Sequence, residues 1–312
     1  MPIKIWKGNK LDKFALFCKS YKGDLDRVLN LVESFEKHNK DNIPFYISVP
    51  QEDYELFRNK IPKTITLITD ESIEKTLLDT NLGAFSAGYI NQQIIKMNFW
   101  KTGYAENYLC VDSDSYFIKD FYFTDYMYNE ETPYTILYQW EEHFYNKKYI
   151  HLAKDYYKFH LDNIKTALNI HDSRYITCCG FAIFSSKVLK SFEDGYLKPN
   201  NLTYVDIFKI APLEFSWYNQ WLLKTNTIEI QVKNQLFKIF HYESQYKESR
   251  KQLITEEEIS EMYLGICMNS NWISGNVPIK YENPNVFFYN LKQKFKIRFY
   301  KIFRGILRKV KV

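Results

Sequence analysis

The chain has 312 residues, 46% of them hydrophobic and 18% aromatic, enough apolar material for a sizeable core and too much for a disordered polypeptide. Its five cysteines are odd in number and none has zinc spacing, so neither a disulfide framework nor a structural zinc site is indicated, and reduced thiols are expected. The net charge of +5 averages two unlike parts: no acid follows Glu282, nine Lys and Arg lie between Lys292 and Lys311, and the remainder carries −4.

In chain order, Phe14 to Cys18 is an apolar run that reads as a first strand, followed by a loop from Lys19 to Asp24. From Asp24, a plausible N-cap, Leu25, Val28, Leu29, Val32 and Phe35 recur at helical spacing. Pro44 to Val49 reads as a second strand, Gln51 to Lys60 as a short helix, and Thr64 to Thr69 as a third strand ending at Asp70. Alternation at this spacing predicts a parallel α/β sheet. Gly83 to Gly88 reads as a loop, and Gln92 to Trp100 lies on the helix leading to a fourth strand at Tyr108 to Val111.

Further on, Asp120 to Pro133 is irregular, Thr135 to Tyr138 reads as a strand and His143 to Leu168 as mostly helical. Thr177 to Phe184 reads as a strand interrupted by Gly180, Leu213 to Leu223 as a helix starting near Glu214, and Phe237 to His241 as a late strand. No apolar stretch reaches signal-peptide or membrane-spanning length, which implies a cytoplasmic protein.

The sharpest chemical feature is Asp112-Ser113-Asp114, two carboxylates at the end of a buried strand. Open α/β sheets bind ligands at that edge, and two hard oxygen donors there suit Mg²⁺ or Mn²⁺. Strand-end turns also favour Asp and Ser, so the pair alone is not decisive. His241, carried out of the end of a late strand, is a candidate third ligand, since neutral imidazole is acceptable to Mn²⁺. His143, His151, His160 and His171 lack such a context and read as surface or structural residues. Glu214 opens an aromatic-rich helix where burial raises a carboxylate toward the pKa of a general base, although the helix N-terminus opposes that shift.

Lys19, Ser20, Tyr21, Lys22 and Asp24 after the first strand and Asp70 after the third, together with Lys96 of the helix before the fourth, form a third set. Such loops can clasp a nucleotide, with Tyr21 stacking, Asp70 bonding base or ribose and a lysine near the phosphates. The sequence has neither a P-loop nor a G-x-G-x-x-G after the first strand. In the tail, Leu291, Phe295, Phe299, Ile302, Ile306 and Val310 share one helical face, with most of the Lys and Arg opposite. That pattern suits an anionic membrane surface; nucleic acid is the rival partner, but no nucleic-acid motif accompanies it.

Taken together, Phe17 to Asp24, Gly88 to Lys96 with its Gln-Gln-x-x-Lys, and Leu109 to Phe117 resemble a little-characterised bacterial family of surface-glycan glycosyltransferases with the GT-A fold. The resemblance covers most of residues 13 to 245. It implies a GT-A-like (Rossmann-like) mixed sheet flanked by helices in residues 1–282, followed by a basic amphipathic helix in 283–312. It also implies that Asp112 and Asp114 hold Mn²⁺ or Mg²⁺ on the diphosphate of a nucleotide-sugar donor, with the N-terminal loops on the nucleoside and Ser113 among the donor-binding residues. By the same resemblance His241 is expected to complete the metal site and Glu214 to act as base or position the acceptor, although the acidic pair often found there is lacking.

The function so implied is sugar transfer to a glycan or lipid-linked glycan of the bacterial surface, lipooligosaccharide or capsule, at the inner face of the membrane. Two alternatives stand beside it. One is a phosphatase with Asp112 as nucleophile, although Tyr116 stands where that class has Thr or Val; the other is a non-catalytic membrane adaptor. An EF-hand is excluded by the absence of its Gly and Glu.

Overall fold

The computed structural model describes residues 12–137, 147, 151, 153–171, 181–272, 274–287, 291–292 and 294–300. The first half alternates strands and helices: β1 (Asp12–Lys19), α1 (Leu25–His38), β2 (Phe45–Val49), α2 (Tyr54–Arg58), β3 (Thr66–Thr69), α3 (Asp70–Ile73), α4 (Ala87–Asn98) and β4 (Ala105–Cys110). Then come β5 (Ser115–Phe117), β6 (Tyr134–Ile136), α5 (Phe159–Ala167), β7 (Ile183–Ser185), α6 (Ser186–Phe192), α7 (Tyr204–Ile210) and α8 (Glu214–Thr225). The described chain continues through β8 (Gln231–Lys233), β9 (Phe237–Ile239), α9 (Glu243–Lys251), α10 (Glu256–Met262) and β10 (Gly265–Cys267).

The main sheet has the order β3-β2-β1-β4-β7, with β3, β2, β1 and β4 parallel and β7 antiparallel to β4. Strands covered on both faces need continuous apolar runs, and Phe14 to Cys18 in β1 is buried throughout. The α/β class expected from the sequence is therefore the fold observed, a mixed sheet flanked by helices. From β1 the chain steps outward to β2 and β3, then returns through α4 to β4 on the other side of β1. The carboxyl ends of β1 and β4 thus form the switch point where such sheets open a crevice.

A second sheet, β5-β10-β9, hangs from the end of β4. β5 runs antiparallel to β10 and β10 parallel to β9, setting Ser115 opposite Cys267 and Cys267 opposite Ile239. It packs a satellite core in which Phe240 stacks on Tyr281 at 5.4 Å, beside Tyr246 and Trp272.

Element boundaries differ in instructive places. Ser86 caps α4 by accepting the Tyr89 N–H at 3.2 Å, so Ala87 and Gly88 of the expected loop are helical. β6 pairs with β8, a strand not expected from the sequence. Of the expected 143–168 helix, α5 is preceded by a wider π-turn from Ala153 to Lys158, and its start lies largely outside the described residues. Cys178, Cys179 and Gly180 also lie outside them, and the described part of that strand is β7. No helix among the described residues is long and apolar enough to cross a membrane.

Candidate active site at the carboxyl ends of β1 and β4

Phe17 of β1 pairs with Cys110 of β4, and the Val111 N–H donates to the Phe17 carbonyl at 2.9 Å, so both strands end level. Ser113 Oγ then donates to Asp24 Oδ2 at 2.9 Å, joining the acidic turn after β4 to the loop after β1. Asp24 sits at the α1 N-cap position, but its side chain makes no capping bond there. The expectation of a helix cap is corrected: Ser113 takes the carboxylate instead. Burial pushes the Asp24 carboxyl above its ordinary value, and the Ser113 hydroxyl opposes that shift.

Lys96 enters from α4. Its Nζ lies 2.7 Å from Asp112 Oδ1 and 3.1 Å from Glu214 Oε1, with only 5% of its side chain exposed. Burial works against the ammonium, but the charges of Asp112 and Glu214 outweigh it and hold its pKa above the ordinary lysine value. Glu214 is raised by burial, with Lys96 pulling the other way. The Lys96 side chain expected near the phosphates is thus engaged with two carboxylates.

Asp114 is held by the segment after β10. The Ser270 N–H donates to its Oδ2 at 2.8 Å, the Cys267 thiol to its Oδ1 at 3.2 Å, and the Met268 N–H to its carbonyl at 2.8 Å. Burial, followed by the nearby Asp112 charge, pushes the carboxyl up to about 6, and the Cys267 and Ser270 hydrogen bonds oppose that rise. His241 follows β9 by two residues, which places it at the same end of the small sheet as Asp114. Cys267 and Ser270 were not singled out from the sequence; nothing local marks them, because they reach Asp114 only through the β5-β10 register.

Elsewhere at this edge, Lys19 Nζ pairs with Asp70 Oδ2 at 2.9 Å, and Ser48 Oγ bonds the other Asp70 oxygen. Asp70 is therefore engaged inside the sheet end, and burial raises its carboxyl while Lys19 opposes the rise. Tyr21 is exposed, and the Lys22 N–H donates to Asp53 Oδ2 at 2.7 Å. Ser20 is buried with an Oγ that finds no partner among the described residues. Of the histidines outside the candidate site, His160 is buried while His151 and His171 are exposed; His143 lies outside the described residues.

Comparison with protein families gives a match over residues 13–261, a span that includes this whole acidic edge. The chain belongs to the family of unknown function DUF6492. No curated protein sequence matches it. Among solved structures it is similar to mouse xyloside xylosyltransferase 1 in its apo form, with a TM-score of 0.46 and 7% identity over 85% of this chain and 99% of that one.

The donor chemistry in this DUF6492 member fits a hard divalent cation. Asp112 keeps 35% of its side chain exposed, and Asp114 is an enclosed carboxylate that burial raises above its ordinary value. Among the described residues, however, no three His, Cys, Asp or Glu side chains already stand grouped to hold a metal. The two acids face different partners, Lys96 and the Met268–Ser270 segment.

Proposed function

We propose that this protein is a metal-dependent glycosyltransferase that moves a sugar from a nucleotide-sugar donor to a bacterial surface glycan, free or lipid-linked. One observation carries the reading: the Asp112-Ser113-Asp114 turn ends a central parallel strand at the switch point of the sheet and is tied there to the Lys19–Asp24 loop. In this reading Asp112, Asp114 and His241 would hold Mn²⁺ or Mg²⁺. When bound, the cation neutralises charge gathering on the departing nucleoside diphosphate. Tyr21 offers an exposed ring for stacking, Ser20 and Ser113 would stand among the donor-binding residues, and the Lys19–Asp70 pair stiffens the loop that receives the nucleoside.

The phosphatase alternative needs Asp112 free to attack phosphorus after its domain's first strand. Here Asp112 follows β4 and its Oδ1 is paired with Lys96.

The basic tail completes the reading with a membrane-facing partner. Residues 291–292 and 294–300 are helical, and Leu291, Phe295 and Phe299, on one face, are exposed at 41%, 64% and 72%. An apolar stripe bordered by cations suits anionic headgroups at the inner face of the cell membrane, where lipid-linked acceptors stand.

The test is turnover of a panel of nucleotide sugars with Mn²⁺. Asp112→Ala and Asp114→Ala should each abolish metal-dependent turnover in a folded protein, and full activity of either variant in EDTA overturns the assignment. Flotation with vesicles tests the tail: binding should require anionic lipid, weaken with salt and vanish on deleting residues 291–312.

A further inference from the structure

Three separate segments, one of them more than a hundred residues downstream of the others, meet at one buried cation. Lys96 comes from the end of α4, Asp112 from just beyond β4, and Glu214 from the first turn of α8. The Lys96 backbone is itself fixed, because Tyr108 Oη donates to its carbonyl at 2.8 Å from within β4. An ammonium has three donors. Asp112 and Glu214 take contacts at 2.7 and 3.1 Å, and the Phe215 ring lies 5.1 Å from Nζ, next to Glu214 in the same turn.

We propose that Lys96 is a positioning residue that holds Asp112 in place by bridging it to Glu214, and that Glu214 is the counter-charge of this bridge rather than the base of the reaction. Exposure separates the two acids: 35% of the Asp112 side chain reaches solvent and 10% of that of Glu214. Both acids give one oxygen to Lys96, so it is exposure alone that brings an incoming acceptor hydroxyl to Asp112 before Glu214. A general base must stand within hydrogen-bond reach of the proton it takes, and geometry comes first in choosing one. Two carboxylates around one buried ammonium are also mutually dependent. Removing the cation leaves like charges facing each other in a poorly solvated space, whereas removing the cation and Glu214 together leaves Asp112 alone.

The bridge rests on the glycosyl-transfer reading only for what it serves, and it is testable without substrate. Lys96→Met, Glu214→Gln and the double variant are compared by thermal unfolding in EDTA, then titrated with Mn²⁺ together with UDP, GDP or CMP. The melting temperature should fall in Lys96→Met and recover in part in the double variant. Mn²⁺–nucleotide affinity should fall by about 10- to 100-fold in Lys96→Met, the usual effect of losing a group that orients a metal ligand, and rise again when Glu214→Gln is added.

A base role predicts otherwise: Glu214→Gln would abolish turnover with Mn²⁺–nucleotide affinity intact, and adding it to Lys96→Met would restore nothing. A double variant no more stable than Lys96→Met overturns the bridge. A wild-type protein that binds none of the nucleotides while keeping the stability coupling supports the bridge and overturns the glycosyl-transfer reading. Should Lys96→Met fail to fold, Lys96→Gln carries the same comparison, since it removes the charge and keeps a hydrogen-bond donor.

Discussion

Ser113 Oγ stands 2.9 Å from Asp24 Oδ2, so the residue between the two acids is the tie between the end of β4 and the start of α1. Ser113 is buried, which leaves its hydroxyl few other partners.

Ser113→Ala should therefore cost about 1–2 kcal/mol, because the partly buried Asp24 carboxylate loses a donor and is left short of hydrogen bonds. The Asp24 carboxyl should also rise further, since Ser113 works against the burial that raises it. Urea unfolding of the two proteins near neutral pH checks the first effect. An unchanged midpoint would mean that the tie carries no stability.

How much of this was legible from residues alone follows physical lines. β1, β2 and the second half of β4 are near-continuous apolar runs because both of their faces are covered, and that pattern survives in one dimension. The end of β4 was equally plain, since two acids after four apolar residues can only sit at an edge. β8 and β10 were not visible: each is three residues long, and Gln231–Lys233 has no buried face to impose a pattern. The partners of Asp114 and Lys96 were hidden for a related reason, as contacts between residues 114 and 270, or 96 and 214, depend on register and packing rather than spacing.

The Lys19–Asp70 pair yields a second prediction. The two side chains are 9% and 5% exposed, so neither charge has water to fall back on. Lys19→Met should destabilise by about 3–5 kcal/mol, the usual cost of stranding one member of a buried pair. Lys19→Met combined with Asp70→Asn should recover much of that loss, with Ser48 still bonding the amide. Double-mutant unfolding measures the coupling; additive losses would contradict it.

Asp114 sets a pH dependence whose sign is fixed. Its carboxyl is raised from an ordinary 3.8 to about 6, so the folded state holds a proton that the unfolded state has released. In EDTA its contribution to stability is fully present below 3.8 and is lost as pH rises through about 6. A cation at Asp114 needs the deprotonated form, so Mn²⁺ affinity should change in the opposite sense, strengthening across that window. Asp114→Asn should flatten the EDTA profile in that window; a variant profile parallel to wild type would place the titration elsewhere.

The last prediction concerns the strand that holds Asp114 from the far side. A Cβ built on Gly265 would stand 2.2 Å from Phe237 Cε1 and 2.5 Å from the Tyr116 carbonyl oxygen. The ring belongs to β9 and the carbonyl to β5, so an alanine there would push on both neighbours of β10 at once, and a paired backbone carbonyl cannot swing aside as a side chain can. Gly265→Ala should cost at least about 1–3 kcal/mol. It should also displace Met268 and Ser270, whose N–H groups hold Asp114 at 2.8 Å each, and so weaken Mn²⁺ binding. Gly88→Ala is the matched control: nothing lies within 4 Å of its added Cβ, and in the first turn of α4 alanine should gain up to about 1 kcal/mol. Melting temperatures and Mn²⁺ titrations of the two variants separate a strand-specific clash from a general effect of replacing glycine. Equal behaviour of the two would mean that β10 does not brace Asp114.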